Sequence, residues 1–124
     1  MAGTVNLVKD DSRTIKKLTF SWTSNSTGCA DYSTSGVSGI LYRCVIKPTT
    51  AATQPTSNYD VLINDANSVD LLGGQGGNLS KSTSSNIVFG TTGINAPTAF
   101  DGVLTLDVAQ AGSAKTGTVI MYYR

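Results

Sequence analysis

The side chains that could do acid–base or metal chemistry in this 124-residue chain are few, and all eight acidic residues are aspartates. The chain has no histidine, which excludes imidazole-based catalytic triads and histidine-ligated zinc sites. A carboxylate pair for glycoside hydrolysis would have to come from aspartates near predicted strands or their ends: Asp60, Asp70, Asp101 and Asp107. These four lie in or beside turns or alternate onto a polar face, so we interpret them as solvated groups and expect no enzyme.

The segment from Asn64 to Asp70 carries four Asn and Asp side chains in seven residues, and their oxygens are the ligand type that Ca²⁺ takes. It lacks the glycine and the bidentate glutamate of an EF-hand loop, and the same residue types build Asx-rich turns. The turn is the favoured interpretation and calcium is the alternative. We therefore expect no cofactor and no metal.

The stretch Gly73–Asn78 holds four glycines in six residues. A phosphate-binding loop would need Gly-Lys-Ser/Thr at the start of a helix, and a dinucleotide fingerprint would need its glycines between a strand and a helix. Neither context exists here. We predict an exposed, mobile loop; the functional alternative is a loop that becomes ordered against a partner chain.

Six amphipathic aromatic residues could build a glycan platform or an interface: Trp22, Tyr32, Tyr42, Tyr59, Tyr122 and Tyr123. Most are expected in the core, and Trp22 alternates in phase with Leu18 and Phe20. Tyr122 and Tyr123 are consecutive in a predicted strand, so their side chains must point to opposite faces. This predicts a second buried face, meaning a subunit interface.

These side chains have to be positioned by strands, because apolar residues recur with a period of two and no segment has a helical period. Leu18, Phe20 and Trp22 form one apolar face. The other predicted elements are a short strand at Val5–Val8, a central strand at Gly39–Lys47 covered on both sides, a hairpin of Tyr59–Ile63 with Val69–Leu72, a strand at Asn86–Thr91 with Ile87 and Phe89 on one side, a loop at Ala96-Pro97-Thr98, and an antiparallel pair of Val103–Ala109 with Thr116–Arg124.

About eight antiparallel strands in a chain of this length predict an all-β fold, a β-sandwich that is jelly-roll-like, with an open barrel as the structural rival. Serine and threonine supply 31 positions, which also favours strands and turns over helices. We expect one domain over residues 1–124, with residues 1–11 as a candidate flexible N-terminal arm.

The formal net charge is +1, and Lys and Arg are spread along the chain. This distribution predicts no nucleic-acid partner. No run approaches the roughly 18 apolar residues of a membrane span, and the start lacks a secretion signal, so we expect a soluble chain made in a cytoplasm and no membrane partner. In that compartment Cys29 and Cys44 are expected to be free thiols, with a disulfide as the alternative.

Three stretches together resemble a group of small virion structural proteins from tailed bacteriophages. They are Lys16-Lys17-Leu18-Thr19-Phe20-Ser21-Trp22-Thr23-Ser24, then Asn58-Tyr59-Asp60-Val61 through Asp70-Leu71-Leu72-Gly73-Gly74, and finally Gly102-Val103-Leu104-Thr105-Leu106 to Gly117-Thr118-Val119-Ile120-Met121-Tyr122-Tyr123-Arg124. The resemblance spans most of the chain and rests on strand-and-turn patterns.

The resemblance implies a protein without catalytic residues that is carried on the virion, most plausibly a decoration or cement protein on the outside of a capsid. Such proteins commonly form jelly-roll-like trimers at local three-fold positions. The implied partners are the major capsid protein and two further copies of the chain. The implied location is the capsid surface, after synthesis in the bacterial host cytoplasm.

We expect partner binding through the N-terminal segment, the glycine-rich loop and the C-terminal strand, in particular at Val5, Leu7, Gly74, Gln75, Gly76, Tyr122 and Tyr123. Two alternatives remain open. One is a carbohydrate-binding or adhesin module that stacks a glycan on Trp22 or Tyr32. The other is a tail or neck component, which would assemble with five-, six- or twelve-fold symmetry.

Overall fold

The computed structural model describes residues 3–34, 37–88 and 98–124. Phe89 and most of the predicted loop at Ala96-Pro97-Thr98 lie outside these residues. The described chain forms one short 3₁₀ turn (Ala51–Thr53) and nine strands: β1 (Thr4–Asp10), β2 (Lys16–Thr23), β3 (Ala30–Thr34), β4 (Gly39–Pro48), β5 (Asp60–Asn64), β6 (Ser85–Val88), β7 (Thr98–Phe100), β8 (Leu104–Ala109) and β9 (Thr116–Tyr123).

The described strands are arranged in two antiparallel sheets. The larger sheet has the order β1-β2-β9-β4-β6, with β7 pairing the other end of the same edge of β4, and the smaller sheet has the order β3-β8-β5. Buried side chains of both sheets belong to one hydrophobic cluster. The predicted all-β sandwich is confirmed, with nine described strands where about eight were expected, whereas the jelly-roll topology stays a prediction.

The core follows directly from the period-two alternation. Leu18, Phe20 and Trp22 are each at most 1% exposed, as the sequence predicts. Across the sandwich, the Trp22 ring contacts the Tyr59 ring at a centroid distance of 5.9 Å. Strands β8 and β9 alternate in the same manner, with every second side chain buried. Each sheet therefore contributes one apolar face to a shared interior.

The N-terminal segment is a paired strand and not a free arm over residues 4–10. Strand β1 pairs with β2 along its whole length, from Thr4 opposite Thr23 to Asp10 opposite Lys17. The predicted short strand at Val5–Val8 is therefore present and longer than expected. Apolar residues on alternate positions of this edge strand, Val5 and Leu7, pack against the core and hold it there.

The predicted antiparallel pair at the C-terminal end is wrong, although both of its strands exist. Strand β8 pairs with β3 and β5 in the smaller sheet, whereas β9 pairs with β2 and β4 in the larger one. The connection between them crosses from one sheet to the other. It is fastened by Ser24, whose hydroxyl donates to the Gly112 carbonyl (2.5 Å) and accepts from the Lys115 amide (2.9 Å).

The predicted hairpin after Tyr59 is only partly present. Strand β5 exists, but the return segment makes a single bridge, between Asn64 and Asp70, and then enters a series of turns. The full-length partner of β5 is β8. The return segment fails to form a strand because the Asp70 carboxylate accepts bonds from the Ile63 and Leu72 amides (both 3.1 Å), which bends the chain away from the sheet.

Gly117 in β9 is the residue that lets the Trp22 ring enter the core. It lies directly opposite Trp22 in the register of β2 and β9. A Cβ atom at this position would lie 2.7 Å from Cε2 of the indole and would overlap Cζ2. The ring cannot retreat, because it is 1% exposed and packed against Tyr59.

We expect Gly117→Ala to lower the free energy of unfolding by about 2 kcal/mol, because the added methyl group overpacks a core without free volume. Chemical denaturation monitored by Trp fluorescence measures this change. Gly77→Ala is the matched control, since a Cβ atom at Gly77 meets only ordinary contacts at 3.5 Å and beyond. If the two variants have equal free energies of unfolding, the packing of the Trp22 ring does not require a glycine at position 117.

Candidate functional site

The outer face of the larger sheet carries an apolar patch. Strand register places two rows of side chains across this face: Val8, Thr19, Ile120, Val45 and Asn86 in one row, and Asp10, Lys17, Tyr122, Arg43 and Val88 in the next. Val8 is 57% exposed and Val88 is 38% exposed, while the apolar residues between them are half-buried. We call Val8, Val45, Val88, Ile120 and Tyr122 the outer patch.

Strand β4 is central, as predicted, but it is covered on one side only. It pairs with β9 along one edge and with β6 and β7 along the other. Its inward residues are buried, whereas Ile40 is 40% exposed and Arg43 and Lys47 are exposed on the outside. Within residues 3–34, 37–88 and 98–124, the sequence prediction of two covered faces is therefore wrong, because only the smaller sheet packs against β4.

Arg43 is held in a fixed position on the outer face. Its Nε donates a 2.7 Å hydrogen bond to Oδ1 of Asn86, and its guanidinium carbon lies 5.2 Å from the centre of the Tyr122 ring. The side chain is nevertheless exposed. A guanidinium that is ordered before binding loses less conformational entropy when it meets a carboxylate.

A shallow cavity of about 360 Å³ lies beside Tyr122. It is lined by Asp10, Arg13, Ile15, Lys17 and Tyr122. Ile15 is 48% exposed, so the cavity combines apolar surface with two cations. Hydrogen bonds from the Ser12 hydroxyl and amide, together with the nearby cations, lower the pKa of Asp10.

The predicted binding residues of strands β1 and β9 divide between the core and the surface. Val5 and Leu7 lie opposite Trp22 and Phe20 and pack against the core. Tyr123 is 3% exposed and meets the Phe100 ring edge-on at 5.6 Å. These three residues serve the interior of the chain, and of this group only Tyr122 lies on the outer face.

The three predicted residues of the glycine-rich segment lie beside the smaller sheet, away from Tyr122. Gly74 and Gln75 are exposed, but Gly76 is buried, and its carbonyl accepts a 2.7 Å hydrogen bond from the Val61 amide. The Asp60 carboxylate accepts a bond from the Asn78 amide at 2.8 Å. The segment is therefore a turn hydrogen-bonded to β5 and not the free loop that its glycine content predicts.

Sequence reasoning missed most of the outer patch. Val8, Val45 and Ile120 are apolar residues at positions where the strand alternation predicts polar ones. Such out-of-phase residues are the signal that was available in the sequence. Only the strand order shows that residues so distant along the chain are neighbours on one face.

The outer face of the smaller sheet is acidic. Asp31 of β3 lies directly opposite Asp107 of β8. Partial burial and the negative charge of Asp31 raise the pKa of Asp107. In the neighbouring row, the hydroxyl oxygens of Ser33 and Thr105 are 3.1 Å apart. The described strands of this sheet carry no Lys or Arg.

The aspartates considered for calcium binding are used by the backbone of their own turn. Asp65 accepts hydrogen bonds from the amides of Asn67 and Val69, at 2.9 and 3.1 Å. Asp70 accepts three, including one from the Gly74 amide at 3.0 Å. In the described part of the chain, no group of three or more His, Cys, Asp or Glu side chains is placed to hold a metal ion.

The aromatic residues proposed for glycan stacking differ in accessibility. Trp22 is 1% exposed and cannot stack on a sugar. Tyr32, on the edge strand β3, is 37% exposed. The sequence indicated the inward orientation of Trp22 through its phase with Leu18 and Phe20.

Asp107→Asn is expected to stabilise the fold at pH 7, by about 0.2–1 kcal/mol, because it removes a like-charge pair directly across two strands. The pKa of Asp107 is raised in the folded state, so its destabilising effect develops as the pH rises above 3.8 and is complete once the pH exceeds the raised pKa. Below the ordinary value of 3.8 both states hold the proton and the gain disappears. Urea unfolding of wild type, Asp107→Asn and the exposed control Asp101→Asn across pH 3–8 measures this, and a pH-independent gain contradicts it.

The two cysteines are free, and we expect them to differ in reactivity. Cys44 is fully buried, and burial raises its pKa to about 12, whereas Cys29 is partly accessible. A thiol reagent such as DTNB at pH 8 should modify Cys29 quickly and Cys44 only after unfolding in guanidinium. Cys29→Ser should abolish the fast phase of modification, and Cys44→Ala should retain it. If neither thiol of the wild-type chain reacts even after unfolding without a reductant, the two cysteines form a disulfide.

No helix in the described residues is long and apolar enough to cross a membrane. Comparison of the chain with protein-family models, with curated proteins and with solved structures finds no match. The function must therefore be inferred from the surfaces of the molecule, of which the outer patch is the most distinctive.

Proposed function

We propose that the chain is a non-enzymatic structural protein of a virion, which binds the outside of a phage capsid as a decoration or cement protein. The observation that carries this proposal is the outer patch, an exposed apolar surface on a sheet face that no other described strand covers. Apolar patches of this kind mark protein–protein contacts in soluble domains.

The proposed mechanism is binding alone. Covering the outer patch removes apolar surface from water, and the ordered Arg43 and Tyr122 are residue types that often dominate binding energy. A protein that binds the assembled shell and not its dissociated subunits stabilises the shell by mass action. The partner is the major capsid protein, and the location is the capsid surface.

The proposed oligomer is a homotrimer, as the sequence resemblance implies. A cyclic trimer needs two different surfaces on each copy, one for each neighbour. Besides the outer patch, which the proposal assigns to the capsid, the chain has two surfaces of different character: the acidic face of the smaller sheet and the exposed turn at Gly74 and Gln75.

A carbohydrate-binding module is the second candidate, and the exposure of Tyr32 favours it. This ring is 37% exposed on the edge strand β3, where an accessible aromatic face can stack on a sugar. Loss of glycan-array binding in Tyr32→Ala, with retention in Tyr42→Ala, would support this function over decoration.

The first measurement is the mass of the purified chain by light scattering, followed by co-sedimentation with capsids stripped of accessory proteins. We expect a mass of three times 12.9 kDa and saturable binding to the capsids. A monomer or a ring of five, six or twelve copies that ignores capsids would contradict decoration. The ring would instead support a tail or neck component.

The double variant Val8→Gln/Ile120→Thr tests the outer patch in the same assay. We expect its apparent capsid affinity to fall about tenfold or more, because polar groups replace the apolar centre of the contact. Val69→Gln is the matched control, since Val69 is 57% exposed like Val8 but lies in the turn after β5. Equal loss in both variants, or none in the double variant, would exclude the outer patch.

A further inference from the structure

Charged residues are segregated between the two sheets, although the whole chain is nearly neutral. The strands of the larger sheet carry five cations and one acid: Lys9, Lys16, Lys17, Arg43, Lys47 and Asp10. The described strands of the smaller sheet carry three acids and no cation: Asp31, Asp60 and Asp107. Lys9 and Lys16 lie opposite the inward residues Leu18 and Tyr123. The outward charges of the larger sheet are therefore Lys17, Arg43, Lys47 and Asp10, so its outer side is basic, whereas the outer side of the smaller sheet is acidic.

Part of the basic charge borders the outer patch. In the outer rows of the larger sheet, Lys17 and Arg43 flank Tyr122 on either side, and Lys47 lies opposite Thr118 in a further row. Arg13 lines the adjoining cavity with Lys17, and Asp10 is the single acid there. We call Arg13, Lys17, Arg43 and Lys47, together with the outer patch, the basic face.

We propose that the basic face is the docking surface for an acidic protein segment in which carboxylates are interspersed with apolar side chains. This inference rests on the proposed function and specifies the chemistry of the partner. Carboxylates of the segment pair with the bordering cations, and Arg43 offers a planar guanidinium already fixed by Asn86 and Tyr122. Apolar side chains of the segment cover Val8, Val45 and Ile120.

The combination of charge and apolar surface favours a protein segment over a nucleic acid. Nucleic-acid faces present many cations along a phosphate path, whereas here four cations border an apolar centre and an acid lies among them. The acidic side of a second copy is the other candidate occupant. Because the two sides belong to opposite sheets of one sandwich, such pairing would stack copies into open assemblies and would not close a trimer.

The test uses the full chain and an eight-residue peptide of alternating Asp and Val, capped at both ends. Amide chemical shifts recorded during titration give both the affinity and the location of binding. We expect shifts confined to β1, β2, β4, β6, β9 and the turn between β1 and β2 that holds Arg13. Binding should weaken at least about tenfold when NaCl rises from 50 to 500 mM, since salt screens exposed ion pairs.

Charge variants make the assignment specific. Lys17→Glu/Lys47→Glu should weaken peptide binding about tenfold or more, and the milder Lys17→Gln/Lys47→Gln should weaken it about threefold. Lys81→Glu, an exposed lysine outside the strands, is the control and should change the affinity less than twofold. Circular dichroism of each variant establishes that the fold is retained.

Four outcomes overturn the proposal. The first two are chemical-shift changes on the smaller sheet and equal binding of a Lys-Val peptide of the same length. The others are tighter binding of a DNA duplex, and self-association of the chain that increases with its concentration and blocks peptide binding. Capsid sedimentation separates this inference from the proposed function. If the chain binds the peptide but not capsids, the decoration function is excluded and the docking role of the basic face stands. If the Lys17→Glu/Lys47→Glu variant still binds capsids as wild type does, the decoration function stands and the docking role of the basic face is excluded.

Discussion

The contact between Trp22 and Gly117 is the constraint on which the sandwich depends. The indole lies over the backbone of Gly117, which has no side chain, and it contacts the Tyr59 ring. Tyr59 directly precedes strand β5 of the smaller sheet. Its Nε1 is buried and has no hydrogen-bond partner among the described residues, which costs on the order of 1–3 kcal/mol. The ring is kept inside because the apolar contacts that it makes between the two sheets outweigh that cost.

This inward packing determines what remains outside. Trp22, Phe20 and Leu18 face the smaller sheet, and no described strand covers the opposite side of the larger sheet. Its central strand β4 nevertheless carries Val45 on that side, next to Ile120. Val45 and Ile120 are only half-buried there, so part of their apolar surface stays in contact with water in the single chain, and this surface is the physical reason for inferring a partner.

Local patterns predicted the strands well and their partners poorly. The alternation of Leu18, Phe20 and Trp22 identifies a half-buried strand without knowledge of its neighbours. Strand pairing is non-local: β8 and β9 look like a hairpin in sequence, yet Ser24, some ninety residues earlier, fastens their connection as it crosses between sheets. The candidate site was harder to predict than the fold. Tyr122 is identified as a surface candidate from the alternation within its own strand, whereas its neighbour Arg43 is brought beside it only by the pairing of β4 with β9.

The same non-locality explains why net charge was a poor guide to the surface. Lys and Arg are spread along the chain and the formal net charge is +1, from which the sequence predicts no nucleic-acid partner and indicates no place where cations gather. Folding brings Lys17 and Arg43 to opposite sides of Tyr122 and leaves Asp31 and Asp107 on the other sheet. A nearly neutral chain can thus present one basic face and one acidic face. The strand order determines which charges share a face, and therefore which partner each face can bind, and composition carries no information about strand order.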